Sequence, residues 1–256
     1  VRSVVNVATG RYVRGQERLT EWLSANGEND YFVWRDQLPP GCPPHSEIPY
    51  AFKAYALRAA IASGAKTLLW CDAAVIAVKP LDELWERIER DGYWISDQAG
   101  PADDKGWSNY EWTADSAYPD LFFEGTWKAA GTSALAIWRQ NNQRMPHVVA
   151  TTFGFSMQHP TGRDLFEEYY RLASETKAFC GPWVNGQYTG DETGIPPNMR
   201  RVAPCGPADV RGHRHDQTAL SVIAWRLGCK LTRWPDPFAY RGHEDERTIL
   251  VADARY

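Results

Sequence analysis

The segment Leu68-Leu69-Trp70-Cys71-Asp72 constrains this 256-residue chain more than any other. A near-continuous apolar run over Thr67–Cys71 suits a strand covered on both faces, as in the middle of a parallel sheet. The carboxylate that follows is held at the strand's C-terminal end, the edge where open α/β sheets bind their ligands. There Asp72 can ligate a divalent cation or accept hydrogen bonds from a ribose. It can equally cap the next turn.

The flanking pattern agrees with such a sheet. Ser3–Ala8 is a β-branched run that stops at Thr9-Gly10, and Tyr31–Trp34 is an aromatic-rich second strand. Gln16–Asn26 and Tyr50–Ser63 carry helical spacing and end at Gly27 and Gly64. Between them Gln37–Pro49 holds five prolines and one glycine, which makes an irregular but stiff loop. Leu81–Asp91 reads as an amphipathic helix and Tyr93–Ser96 as a strand. This β-α-β-α-β order predicts an α/β fold, Rossmann-like, with a mixed, mostly parallel sheet and helices on both faces. Gly100–Trp127 lacks periodicity and reads as a lid or insertion. Ala134–Trp138, Val148–Met157 and Lys230–Trp234 read as strands; Gly162–Thr176 and Asp216–Leu227 read as helices. No repeat or linker is visible, so residues 1–256 read as one domain.

Three further segments are candidates for chemistry. Lys53 lies in the first turn of its helix, where the helix dipole disfavours a cation unless an anion is near. Asp72 or a phosphate would supply that anion; the plainer reading is a solvated surface lysine. In Gly212-His213-Arg214-His215-Asp216-Gln217, two His, one Arg and one Asp gather at a helix start, a corner suited to anions or hydroxyls. Asp216 beside His215 has the makings of a general base, and either residue could simply cap the helix. A metal held by His213 and His215 would require an extended segment. Gly242-His243-Glu244-Asp245-Glu246 is either a solvated acidic stretch or the source of a returning metal ligand.

Composition narrows the partners. Net charge is −4, which gives no global case for nucleic-acid binding. No stretch reaches the roughly 18–20 apolar residues of a membrane-spanning helix, and no signal-peptide pattern opens the sequence. Five scattered cysteines without a C-x-x-C pair fit reduced thiols and a cytoplasmic setting. Twelve Trp and twelve Tyr are either ordinary core and surface or stacking platforms for sugars and bases. The dinucleotide, P-loop, nucleophile-elbow and H-E-x-x-H motifs are missing.

In element order, most of the chain resembles the GT-A-fold glycosyltransferases, above all the glycogenin-like and bacterial lipopolysaccharide galactosyltransferase branch. The residues that carry the resemblance are Val7-Ala8-Thr9-Gly10, Lys53, Thr67–Asp72 with Ala73–Leu81, Asp216-Gln217 and His243. Pro39–Leu57 and Gly212–Gly228 also look like uncharacterised bacterial and viral glycosyltransferase-like proteins. The resemblance implies a nucleotide-sugar donor and a glycan-type acceptor. Residues 1–98 would form the donor half and 99–256 the acceptor-side half. Ala8, Thr9, Gly10, Arg11 and Tyr12 would hold base and ribose, and Tyr50, Lys53, Asp72 and Ala73 the diphosphate side. Thr152, Gly154, Phe155, Trp183 and His213 would surround sugar and acceptor, with Asp216, Gln217 and His215 at the reacting centre. Asp72 and His243 would hold Mn²⁺ or Mg²⁺.

One departure stands out. The family's Asp-x-Asp motif is Asp72-Ala73-Ala74 here, so the second carboxylate is absent. Either Asp72 and His243 hold an ion with the diphosphate's own oxygens, or Lys53 and one of Arg11, Arg211 or Arg214 provide the charge. The alternatives are a catalytically silent nucleotide-sugar or glycan binder, and a nucleotidyltransferase on a related sheet.

Overall fold

The computed structural model describes residues 1–28, 30–98, 107–122, 132–190 and 203–253. Its strands and helices, in chain order, are β1 (Arg2–Ala8), α1 (Val13–Ala25), β2 (Tyr31–Arg35), α2 (Ala51–Ala62), β3 (Thr67–Cys71), β4 (Val75–Ala77), α3 (Asp82–Asp91), β5 (Tyr93–Trp94) and β6 (Ser96–Asp97). They continue with α4 (Tyr118–Leu121), α5 (Thr132–Asn142), β7 (Thr152–Ser156), α6 (Pro160–Glu175), α7 (His215–Arg226), β8 (Thr232–Arg233), β9 (Phe238–Tyr240) and β10 (Leu250–Ala252).

The central sheet has the order β2-β1-β3-β7-β5. β1 pairs in parallel with β2 and β3, whereas β7 runs antiparallel to both β3 and β5. The sheet is therefore mixed and mostly parallel. Side-chain alternation explains why both faces are covered. Val5, Val7, Leu68, Trp70, Phe153 and Phe155 enter one core cluster with α2, α6 and α7. Val4, Leu69 and Cys71 enter the other with α1 and α3. Burial on both faces is what turned β3 into an unbroken apolar word.

A polar ladder inside the sheet fixes its C-terminal edge. Asn6 Nδ2 donates to the Cys71 carbonyl at 2.6 Å, and Gln16 Nε2 donates to Asn6 Oδ1 at 2.7 Å and to the Trp34 carbonyl at 2.9 Å. Three strands and α1 are thereby tied at one level, with buried polar groups satisfied. Next to Gln16, Gly15 lets α1 touch the loop after β3: a Cβ there would lie 2.1 Å from the Ala73 carbonyl oxygen.

The C-terminal part returns to the same edge. β10 pairs antiparallel with β4 and parallel with β9, and the Asp253 amide donates to the Ala74 carbonyl at 2.7 Å.

Three sequence expectations need correction. Ala134–Trp138 lies in helix α5, not a strand: Ala134, Trp138 and Asn142 are buried at a spacing of four, and a short apolar run alone does not separate the two states. Of Val148–Met157, only Thr152–Ser156 is strand; Val148, Val149 and Ala150 are buried in the segment leading into it. Lys230–Trp234 shrinks to the two-residue β8. Of the expected lid over Gly100–Trp127, residues 107–122 are described and form two 3-10 turns and the short α4, with Tyr110, Trp112, Tyr118 and Leu121 buried; the remainder lies outside the described residues.

Candidate active site

A cleft of about 470 Å³ opens beyond the C-terminal ends of β1 and β3. Val7, Ala8, Thr9 and Tyr12 form one side, Leu38, His45, Tyr50 and Phe52 the other, and Asp72, Ala73 and Ala74 its floor. Of the donor-side residues expected from sequence, Ala8, Thr9, Tyr12, Tyr50, Asp72 and Ala73 line it. Gly10 and Arg11 lie in the short 3-10 turn Gly10–Tyr12 at its lip, where both are exposed. The Gly10 amide donates to Asp36 Oδ1 at 2.8 Å, which pins that turn to the end of β2.

Lys53 links the cleft floor to α7. Its Nζ donates to the Ala150 carbonyl at 2.7 Å and lies 3.2 Å from Asp72 Oδ1 and 3.0 Å from Asp216 Oδ2. The Asp216 contact is an ion pair at hydrogen-bonding distance, so the Lys53 ammonium is the group that meets Oδ2. Asp72 Oδ1 is held from the strand side by Trp70 Nε1 at 2.7 Å. Lys53 and Asp216 are almost completely buried, whereas about a third of the Asp72 side chain reaches the cleft. The anions that the helix-dipole argument demanded for Lys53 are thus both carboxylates.

The charges follow from this geometry. Burial opposes the Lys53 cation, but Asp216 and Asp72 outweigh it and raise its pKa. One cation between two carboxylates leaves a net negative charge. Burial raises Asp216 to about 6, with Lys53 pulling it down and Asp72 pushing it up.

The rest of the α7 corner is aromatic. Tyr50 and His215 both hold left-handed backbone, with φ of 60° and 47°. Such non-glycine conformations cost on the order of 1–3 kcal/mol each and persist only where packing enforces them. Their rings stack at 5.8 Å, Trp183 meets His215 edge-on at 4.7 Å, and Lys53 Nζ lies 5.3 Å from the Tyr50 centroid. Arg214 spans Trp112 and Trp183, at 4.0 and 4.9 Å. Gly212 allows the Trp183 loop to approach, since a Cβ there would lie 2.0 Å from the Trp183 carbonyl oxygen.

The histidines are neutral and differ in role. The His213 amino-type Nε2–H donates to the Ala178 carbonyl at 2.9 Å, and its Nδ1 accepts from the Ala114 amide at 3.3 Å. Burial lowers it to about 4. Both ring nitrogens are committed to backbone, so His213 supports the corner and cannot bind metal or sugar as arranged. His215 Nδ1–H donates to the Phe179 carbonyl at 2.9 Å, while its buried Nε2 has no partner among the described residues. A buried, unsatisfied acceptor costs about 1–3 kcal/mol. Burial first, then His213, drives His215 down to about 2, so it serves as no base near neutrality.

Other expected residues do not line the cleft. Thr152, Gly154 and Phe155 are inside the sheet: Thr152 Oγ1 donates to the Trp70 carbonyl at 2.8 Å, a Gly154 Cβ would meet Ile88, and Phe155 packs in the core. Gln217 Nε2 donates to the Val148 carbonyl and, at 3.2 Å, to Gln98 Oε1. Gln98 in turn donates to the Tyr240 hydroxyl at 2.9 Å. His243 follows β9, exposed, with its ring edge-on to Trp234 at 5.1 Å.

The described residues do not by themselves compose a metal centre. Among them no three of His, Cys, Asp and Glu gather to hold an ion, and Asp72 Oδ1 is already engaged by Trp70 and Lys53. Also among the described residues, no helix is long and apolar enough to cross a membrane. A larger groove of about 590 Å³ borders α6 and α7, but most of its charges pair with each other as Arg58–Glu167, Arg171–Glu168 and Arg226–Glu168. That makes it a solvated ion-pair surface rather than a site.

Sequence reasoning missed Trp70, His45, Leu38, Phe52 and the Gln98–Tyr240 pair. Trp70 was legible, since two residues before Asp72 on a strand is the same face. The others come from a proline-rich loop and distant segments that no local pattern connects.

Among solved structures, the chain superposes on a glycosyltransferase involved in the glycosylation of the major capsid of PBCV-1. The TM-score is 0.51 at 10% identity, over 100% of this chain and 94% of that one. The fold is glycosyltransferase-like. Neither a protein-family model nor a curated protein matches the sequence.

Proposed function

We propose that this glycosyltransferase-like protein transfers a sugar from a nucleotide-diphosphate sugar to a hydroxyl acceptor. The observation that supports this reading best is the convergence of three distant stretches. Thr9 and Asp72 line one cleft at the sheet edge, and Lys53 joins Asp72 to Asp216. In this reading the base and ribose lie against Ala8, Thr9 and Tyr12, and the diphosphate lies over Asp72–Ala74. The sugar points toward Asp216.

In an inverting displacement, Asp216 takes the proton of the acceptor hydroxyl as that oxygen attacks the anomeric carbon. The bond from that carbon to the diphosphate oxygen breaks, and its electron pair leaves with the nucleoside diphosphate. A carboxylate near 6 is matched to this proton transfer at neutral pH. In a retaining reaction Asp216 orients the sugar instead. The anomeric configuration of the product, read by NMR, separates the two.

A nucleotide-release assay over a panel of nucleotide sugars, with and without Mn²⁺, tests the proposal. Release from one donor class, stimulated by a glycan acceptor, is expected. Calorimetry that detects no donor binding at all would overturn it. Ala74 in place of a second carboxylate favours a silent binder as the second reading, which predicts donor binding without release.

A further inference from the structure

His215 combines a strained backbone with an unused lone pair. Its φ of 47° is rare for a histidine, and it opens α7 immediately before Asp216. The Nδ1–H bond to the Phe179 carbonyl assigns the tautomer and leaves Nε2 as an acceptor. That nitrogen is buried, and among the described residues nothing donates to it. Three rings fix the imidazole: Tyr50 stacks on it, and Trp183 and His213 meet it edge-on at 4.7 and 5.2 Å. Tyr50 and Trp183 are only half-buried, so the two rings packed on the imidazole reach the surface. Tyr50 also belongs to the cleft that holds Asp72.

The chemistry of the missing partner follows. A neutral imidazole nitrogen without a proton repels phosphate oxygens and accepts only from O–H or N–H donors. Asp216, the next residue, is already engaged: its Oδ2 lies 3.0 Å from the Lys53 ammonium. The open acceptor is therefore His215 Nε2 alone, and it suits a ligand that offers a hydroxyl. We infer that His215 Nε2 accepts a hydrogen bond from a hydroxyl of the transferred sugar, reached past the edge of Trp183. This rests on the sugar-transfer reading and adds to it a residue that discriminates the sugar rather than the nucleotide. His215 is then neither a base nor a metal ligand.

Calorimetry on the wild-type protein, His215→Phe and His215→Asn tests the assignment with nucleoside diphosphates and the corresponding nucleotide sugars. Phe keeps a ring for stacking but has no acceptor. Asn tolerates left-handed backbone and is too short to replace Nε2, so it controls for strain. The nucleoside diphosphate should bind all three alike, which also shows that the variants fold. The extra affinity contributed by the sugar should fall about tenfold in both variants, the size of one buried hydrogen bond. An unchanged sugar increment would overturn the assignment while leaving sugar transfer intact. Equal losses for nucleotide and nucleotide sugar would overturn it too, because His215 would then merely support Tyr50. A wild-type protein that binds neither ligand class would sink the sugar-transfer reading itself.

Discussion

Trp70 Nε1 donates to Asp72 Oδ1 at 2.7 Å, so the last buried aromatic of β3 orients the carboxylate that ends the strand. Trp70 has no exposed surface and lies in the core with α2 and α6, while Asp72 reaches the cleft. The sheet interior therefore aims the side chain at the site floor. Lys53 approaches the same oxygen from α2, which leaves Asp72 little rotational freedom.

Trp70→Phe should loosen Asp72 without emptying the core. The substitution removes one hydrogen bond to a charged group and part of a buried ring, together about 1–3 kcal/mol. Thermal unfolding should show that loss. Nucleoside diphosphate affinity should drop several-fold more than in a core control such as Phe153→Leu. Equal affinity in both would mean that Trp70 only packs.

Lys53→Met should be severely destabilising, by roughly 3–5 kcal/mol, because two carboxylates would share a buried corner without a cation. Adding Asp216→Asn removes one of those charges and should recover a measurable part of the stability. Denaturant unfolding of the two single variants and the double gives the coupling. Additive losses would mean that the 3.0 Å ion pair contributes nothing.

Burial raises Asp216 to about 6 from an ordinary 3.8, which sets a pH signature. The folded state holds this proton more tightly than the unfolded one. Its contribution to stability is therefore full below about 4, declines as pH rises to about 6, and is flat above. Subtracting the Asp216→Asn unfolding curve from the wild type between pH 4 and 8 should reveal that decline. If Asp216 is the base, turnover should instead rise through about pH 6 and lose that inflection in the variant. A difference curve without slope between pH 4 and 6 contradicts the raised value.

The fold was readable where physics acts locally. Burial on both faces wrote β3 as an apolar run, and glycines marked the ends of α1 and α2. The same reasoning placed Thr9 and Asp72 on one edge, because parallel strands must end there. It also flagged Lys53 through the helix dipole, and the answer came as Asp72 plus Asp216. Ala134–Trp138 misled because five apolar residues fit either period. His213 and Phe155 misled for another reason: a polar or aromatic residue near a motif does not say which way it points, and both face inward. His45 was invisible, since only the folded loop brings it to the cleft.

Gly15→Ala tests whether the loop after β3 is set by the helix behind it. A Cβ at Gly15 would lie 2.1 Å from the Ala73 carbonyl oxygen and 2.9 Å from its carbon, both backbone atoms that no rotamer change can move. The helix itself would gain from alanine, by about 1 kcal/mol. The clash must therefore push Asp72-Ala73-Ala74 outward or tilt α1, which Gln16 ties to Asn6 and Trp34. Overpacking of this kind costs about 1–3 kcal/mol, so a net loss of stability is expected despite the better helix former. Nucleotide affinity should fall more than tenfold, because the displaced residues are the cleft floor. Unaltered affinity with raised stability would show that α1 and the Asp72 loop move independently.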